Sequence, residues 1–124
     1  MQGKKILITD DDIPFSEMLS EILRDEGATV LVEHDGNAGL ATALAEKPDL
    51  VMLDVMMPRM SGIDVLNKLR ADSWGANVPA LLLTNMTQPE AAERTSVNGP
   101  ATEYLLKTDW TLDQIAERVK QLLA

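Results

Sequence analysis

Five short apolar runs punctuate this chain, and stretches with helical periodicity separate them. The runs are "KKILIT" (Lys4–Thr9), "ATVLVE" (Ala28–Glu33), "DLVMLD" (Asp49–Asp54), "VPALLLT" (Val78–Thr84) and "EYLLK" (Glu103–Lys107). Apolar runs of this length, bounded by polar or turn-forming residues, read as buried strands. After the first run, Met18, Leu19, Ile22 and Leu23 recur on one helical face, with Asp12 and Pro14 at its start and Gly27 as its stop. "DGNAGLATALAEK" (Asp35–Lys47) is an Ala-rich helix halted before Pro48, and Ile63, Val65, Leu66 and Leu69 support a third helix through about Ala71. Leu112, Ile115, Ala116, Val119, Leu122 and Leu123 mark a closing amphipathic helix. Between the fourth and fifth strands, "QPEAAERTSVN" predicts a weak helix, because only Ala91, Ala92 and Val97 are available to bury. Parallel strands require crossovers, so this alternation implies a parallel sheet sandwiched by helices. The expectation is a single α/β domain over residues 1–124.

Composition narrows the function. The 124 residues suffice for one sizeable core. Against 11 Lys and Arg stand 20 Asp and Glu, a net charge of −9, which opposes direct contact with nucleic acid or an anionic membrane. No run approaches membrane-spanning length, and the N-terminus lacks a signal-peptide core. Without cysteine there is neither disulfide nor thiolate chemistry. A cytoplasmic location is the expectation.

In such a sheet all strands end on the same edge, where ligands bind. The residues at or just after those ends are Asp10 and Asp11 for the first strand, Asp54 for the third, Thr84 for the fourth and Lys107 for the fifth. Three crowded carboxylates repel one another unless a cation sits among them, and oxygen ligands with room for water suit Mg²⁺. A hydroxyl and an ammonium complete a set able to handle a phosphoryl group, with Asp54 as the nucleophile and Asp10 and Asp11 as metal ligands. Each residue alone has a blander reading: an aspartate after a strand usually forms a turn or a helix cap, and a lysine is usually solvated. Four strand ends with compatible chemistry outweigh those readings.

With these residues in place, the chain resembles the receiver domains of bacterial two-component response regulators. "KKILITDDD" is similar to that family's opening strand and acidic pair, "PDLVMLDVMMPRMSGIDVL" to its phosphoacceptor segment, and "LLLT" and "EYLLK" to its later strands. The resemblance implies a flavodoxin-like, doubly wound sheet of five parallel strands in the order 2-1-3-4-5. It implies that Asp54 accepts a phosphoryl group from a sensor histidine kinase or phosphotransfer protein, in a reaction that needs Mg²⁺. Asp10, Asp11, Asp54 and the Met56 carbonyl would hold the metal, and Thr84 and Lys107 would contact the phosphoryl oxygens. Tyr104 matches the family's aromatic switch position, coupled to Thr84; a half-buried strand aromatic is the plainer reading. The implied output is protein binding through the face of the fourth helix, fifth strand and last helix, by a monomer or a phosphorylation-dependent dimer.

The chain also departs from the family. Thr108 follows Lys107 where proline is usual, which argues against the cis peptide typical there, since such a bond costs about 2.5–4 kcal/mol without proline. Asn85 stands where Ala or Gly is favoured and narrows access to the site. Met56 and Met86 flank the site with apolar side chains that cannot orient water, which predicts slow autodephosphorylation. His34 reads as a surface residue, and Trp74 and Trp110 as packing residues.

The competing functions are a phosphorylation switch, the receiver half of a longer regulator, a pseudo-receiver binding module, and an enzyme or cofactor binder on the same fold. A pseudo-receiver would predict loss of Asp54, of the acidic pair or of Lys107, and none is lost. A flavin carrier lacks its phosphate loop after the first strand, and a phosphatase with an aspartyl intermediate lacks a general acid at Met56. A self-modifying switch, rather than a turnover enzyme, is the expectation.

Overall fold

Each apolar run becomes a strand because its side chains alternate between two covered faces. The computed structural model describes residues 1–85 and 102–124. Its strands are β1 (Lys5–Thr9), β2 (Thr29–Glu33), β3 (Leu50–Asp54), β4 (Ala80–Thr84) and β5 (Thr102–Leu106). They form one parallel sheet in the order β2-β1-β3-β4-β5, as expected. The central β3 and β4 are buried along their whole length, whereas the edge strands β2 and β5 are only partly so. Between strands run α1 (Ile13–Asp25), α2 (Gly36–Glu46) and α3 (Gly62–Ala71). A 3-10 turn, Lys107–Asp109, leads from β5 to the closing helix, Leu112–Leu123. Met86 and the expected weak helix over 88–98 lie outside the described residues.

Alternation divides the core in two. Ile6, Ile8, Leu50, Met52, Leu81, Leu83 and Leu105 face α1 and the closing helix. Leu7, Val51, Leu53, Ala80 and Leu82 face α2 and α3. Trp110 packs against the first cluster and Trp74 against the second, as packing residues should.

Side chains satisfy the helix starts, where backbone N–H groups have no partner within the helix. Asp12 caps α1 and Asp35 caps α2. Ser61 with Asp64, and Thr111 with Gln114, form reciprocal caps on α3 and the closing helix. Gly27 ends α1 at a φ of 97°, a left-handed conformation that glycine adopts freely. Far from the strand ends, the Arg70 guanidinium donates to the carbonyls of Gly75 and Val78 at 2.9 and 2.6 Å and to the Thr102 hydroxyl at 3.2 Å. It ties the end of α3 to the beginnings of β4 and β5.

Candidate functional site

β2 and β3 flank β1 on opposite sides, so the chain reverses its direction of travel across the sheet there. That switch point, at the C-terminal ends of β1 and β3, is the usual ligand site of such a sheet. Asp10 and Asp54 lie at those two ends. Both are buried, at 0% and 5% exposure, while Asp11 is exposed. Carboxylate oxygens of Asp10, Asp11 and Asp54 lie within 4.8 Å of one another. From the end of β5, Lys107 reaches in, its Nζ 2.8 Å from Asp10 Oδ2 and 3.6 Å from Asp54 Oδ2. Residues distant in sequence thus meet because parallel strands end together.

Local backbone holds each carboxylate. Asp10 Oδ1 accepts from the Asp12 amide at 2.9 Å, and Asp54 Oδ1 from the Met56 amide at 3.1 Å. Behind Asp54, α3 begins so close that a Cβ on Gly62 would collide with the Asp54 carbonyl oxygen. At Gly36 a Cβ would come within 2.6 Å of the Met60 carbonyl oxygen, so α2 presses on the loop that follows Asp54. Within that loop Arg59 adopts a φ of 68°, strained for a residue with a side chain.

Electrostatics set the chemistry. Burial pushes the Asp54 carboxyl up to about 8, and the neighbouring Asp10 charge adds to the rise, while Lys107 opposes it. One ammonium therefore does not compensate the cluster. The buried Asp10 Oδ2 is close to Lys107, but the approach lacks hydrogen-bond alignment, and no donor is directed at this oxygen. An under-satisfied buried carboxylate oxygen beside two further carboxylates fits a hard divalent cation such as Mg²⁺. Met56, whose amide donates to Asp54, is 58% exposed.

Thr84 ends β4 fully buried, one residue beyond Leu83, the partner of Asp54 in the sheet register. Tyr104 pairs with Leu82 across β4–β5 and packs against the α2/α3 cluster. Asn85 is exposed just past β4. The Lys107–Thr108 peptide is trans, in keeping with the absence of proline.

Two features were not legible in the sequence. His34 is not simply a surface residue: it is partly buried, with Nδ1 3.0 Å from the Asp10 carbonyl oxygen, so it braces the backbone of the acidic pair. Phe15, in the first turn of α1, places its ring centroid 4.5 Å from Lys107 Nζ. An aromatic three residues after a helix cap carries no local sign of such a partner.

Residues 6–120 match the family model described as the response regulator receiver domain. The probable transcriptional regulatory protein TcrX of Mycobacterium tuberculosis is 36% identical over 122 residues, 98% of this chain and 50% of that protein. The DNA-binding response regulator MtrA of Mycobacterium leprae is 46% identical over 84 residues, 68% of this chain and 36% of that protein. The chain therefore spans half or less of the length of these curated relatives. Among solved structures, the chemotaxis response regulator CheY4 of Vibrio cholerae is similar with a TM-score of 0.87 at 29% identity, covering 98% of this chain and 99% of that one.

Proposed function

The chain belongs to the response regulator receiver domain family, and from that premise we propose that it is a phosphorylation switch with Asp54 as the phosphoacceptor. The observation that carries this reading is the convergence of Lys107 on both Asp10 and Asp54, at 2.8 and 3.6 Å. An Asp54 carboxylate oxygen attacks the phosphorus of a phosphohistidine on a sensor kinase or phosphotransfer protein. The new P–O bond forms as the P–N bond breaks, and the departing imidazole takes up a proton. Asp10, Asp11, Asp54 and the Met56 carbonyl would hold Mg²⁺, which would supply positive charge against the carboxylates and the phosphoryl oxygens. Lys107 exchanges its carboxylate contacts for a phosphoryl oxygen, and the Thr84 hydroxyl donates to another.

That new bond to Thr84 exists only in the phosphorylated state, so it favours one of two packings. Thr84 and Tyr104 both project, by strand alternation, to the α2/α3 side of the sheet, which supports Tyr104 as the aromatic that follows Thr84. The output is protein binding at β5, the closing helix and the segment between β4 and β5, by a monomer or a phosphorylation-dependent dimer. Its chemistry acts on itself, so the protein is a switch rather than a turnover enzyme. The exposed apolar Met56 beside the site supports slow self-hydrolysis; loss of the phosphoryl group within seconds in Mg²⁺ would sink that part.

The test is intact-protein mass spectrometry after incubation with acetyl phosphate, with and without Mg²⁺, beside Asp54→Asn. A Mg²⁺-dependent gain of one phosphoryl group, absent in the variant, is expected. No gain, combined with no Mg²⁺ response in Trp fluorescence, would instead favour a pseudo-receiver that binds partners unphosphorylated. A second reading is a receiver portion of a longer transcriptional regulator, favoured by the half-length match to TcrX. The native reading frame decides it. In neither case does the acidic receiver itself contact nucleic acid. Among the described residues no helix is long and apolar enough to cross a membrane, and we place the protein's work in the cytoplasm.

A further inference from the structure

The three consecutive aspartates do not act alike, and two of them, Asp10 and Asp12, belong to a closed circuit. Asp10 Oδ1 accepts from the Asp12 amide at 2.9 Å, and Asp12 Oδ1 accepts from the Phe15 amide at 3.1 Å. Phe15 then turns its ring to the Lys107 ammonium, 4.5 Å from the centroid, and that ammonium returns to Asp10 Oδ2 at 2.8 Å. Pro14 sits in the first turn, where its fixed φ helps set the start of α1 and so the position of Phe15.

The ring is also a packing group, since it touches the cluster beneath α1 and the closing helix. A leucine would fill that role. What an aliphatic side chain lacks is the negative face of an aromatic ring, which attracts a cation and does so more strongly as the cation loses water. The Lys107 side chain is 10% exposed, so its head is largely desolvated. A ring attracts the ammonium without offering a hydrogen-bond acceptor. It can therefore hold Lys107 over the site while leaving its N–H donors for oxygens.

We propose that Phe15 is a positioning residue for Lys107, fixing the ammonium beside Asp10 and Asp54 through its π face and so setting the rate at which Asp54 is phosphorylated. The rate clause rests on the phosphoacceptor reading; the contact itself does not. The ring confines the ammonium without tethering it, which suits a group that must change partners when a phosphoryl group arrives.

Phe15 is the only phenylalanine in the chain, so fluorinated phenylalanines supplied during expression alter this one ring. Successive fluorines withdraw electron density from the face with little change in size. The phosphorylation rate from acetyl phosphate in saturating Mg²⁺ is expected to fall stepwise with fluorination, about threefold to tenfold in all. Phe15→Leu should match the slowest of the series and Phe15→Tyr should stay near the unmodified protein. Rates that ignore fluorination would overturn the rate clause, because a packing role follows size alone. A second readout is the NMR shift of the Lys107 Cε protons, expected upfield of the other lysines and lost in Phe15→Leu. A Lys107 signal that coincides with the other lysines would overturn the contact, even if Asp54 is phosphorylated. If the unmodified protein accepts no phosphoryl group and shows no Mg²⁺ response, the function reading falls, and the NMR shift alone decides whether Phe15 holds Lys107.

Discussion

The two faces of the sheet contribute different things to one site. On the side of α1 and the closing helix, large aliphatic side chains build the core, and Asp10, Asp54 and Lys107 continue the same alternation beyond Ile8, Met52 and Leu105. On the side of α2 and α3, helices come close through glycines, Gly39 against Thr9 and Gly62 against the Asp54 carbonyl. One face supplies reacting groups; the other fixes the backbone that carries them. Thr84 and Tyr104 project to that second face, so in the proposed switch Thr84 would link the reacting groups to it.

If that division holds, damage to the two faces should differ in kind. Leu23→Ala empties a fully buried site on the aliphatic face and should cost about 2–5 kcal/mol in denaturant unfolding, with little change in phosphorylation rate once folded. An equal loss of rate would break the comparison.

Next in size is a pH effect confined to the reacting face. Asp54 keeps its proton to about 8 when folded, against an ordinary 3.8, so between those values the folded state holds a proton that the unfolded state has lost. Metal-free stability should therefore fall as pH rises through that window and level off above it. The drop should be about 2–3 kcal/mol, after allowance for solvent access to the site. Saturating Mg²⁺ or Asp54→Asn should flatten the profile; a slope that survives both would remove Asp54 as its source.

A smaller stability effect comes with a larger functional one on the other face. Gly62→Ala forces a methyl group against the Asp54 carbonyl and should cost about 1–3 kcal/mol while slowing phosphorylation, measured at a temperature where the variant is folded. Unchanged kinetics would show that the close approach serves packing only. Smallest is Asp12→Ala, which removes the cap of α1 for about 1 kcal/mol, read by thermal unfolding.

Much of this was legible in the sequence. Continuous apolar runs gave the strands, and parallel crossovers brought Asp10, Asp11, Asp54, Thr84 and Lys107 to one edge. Element ends were less so. Val78 and Pro79 precede β4 rather than belonging to it, and Lys107 lies just past β5 in the 3-10 turn. Periodicity reports which face is covered, whereas the last ladder hydrogen bond decides where a strand stops. The roles of Phe15 and His34 were not legible, because each depends on a contact with a residue from another strand end. Proximity of that kind follows from the register and the helix start, neither of which is written in the local pattern.

The run Asp10-Asp11-Asp12 invites a reading as redundancy, three copies of one carboxylate with two to spare. The structure makes it the opposite. One copy is buried against Lys107, one is exposed within the cluster, and one caps the start of a helix. Deleting any single aspartate leaves a sequence that still spells an acidic pair, yet it shifts the remaining letters into each other's posts. A copy-number view of sequence would score that deletion as mild. In this fold identical residues are not interchangeable parts.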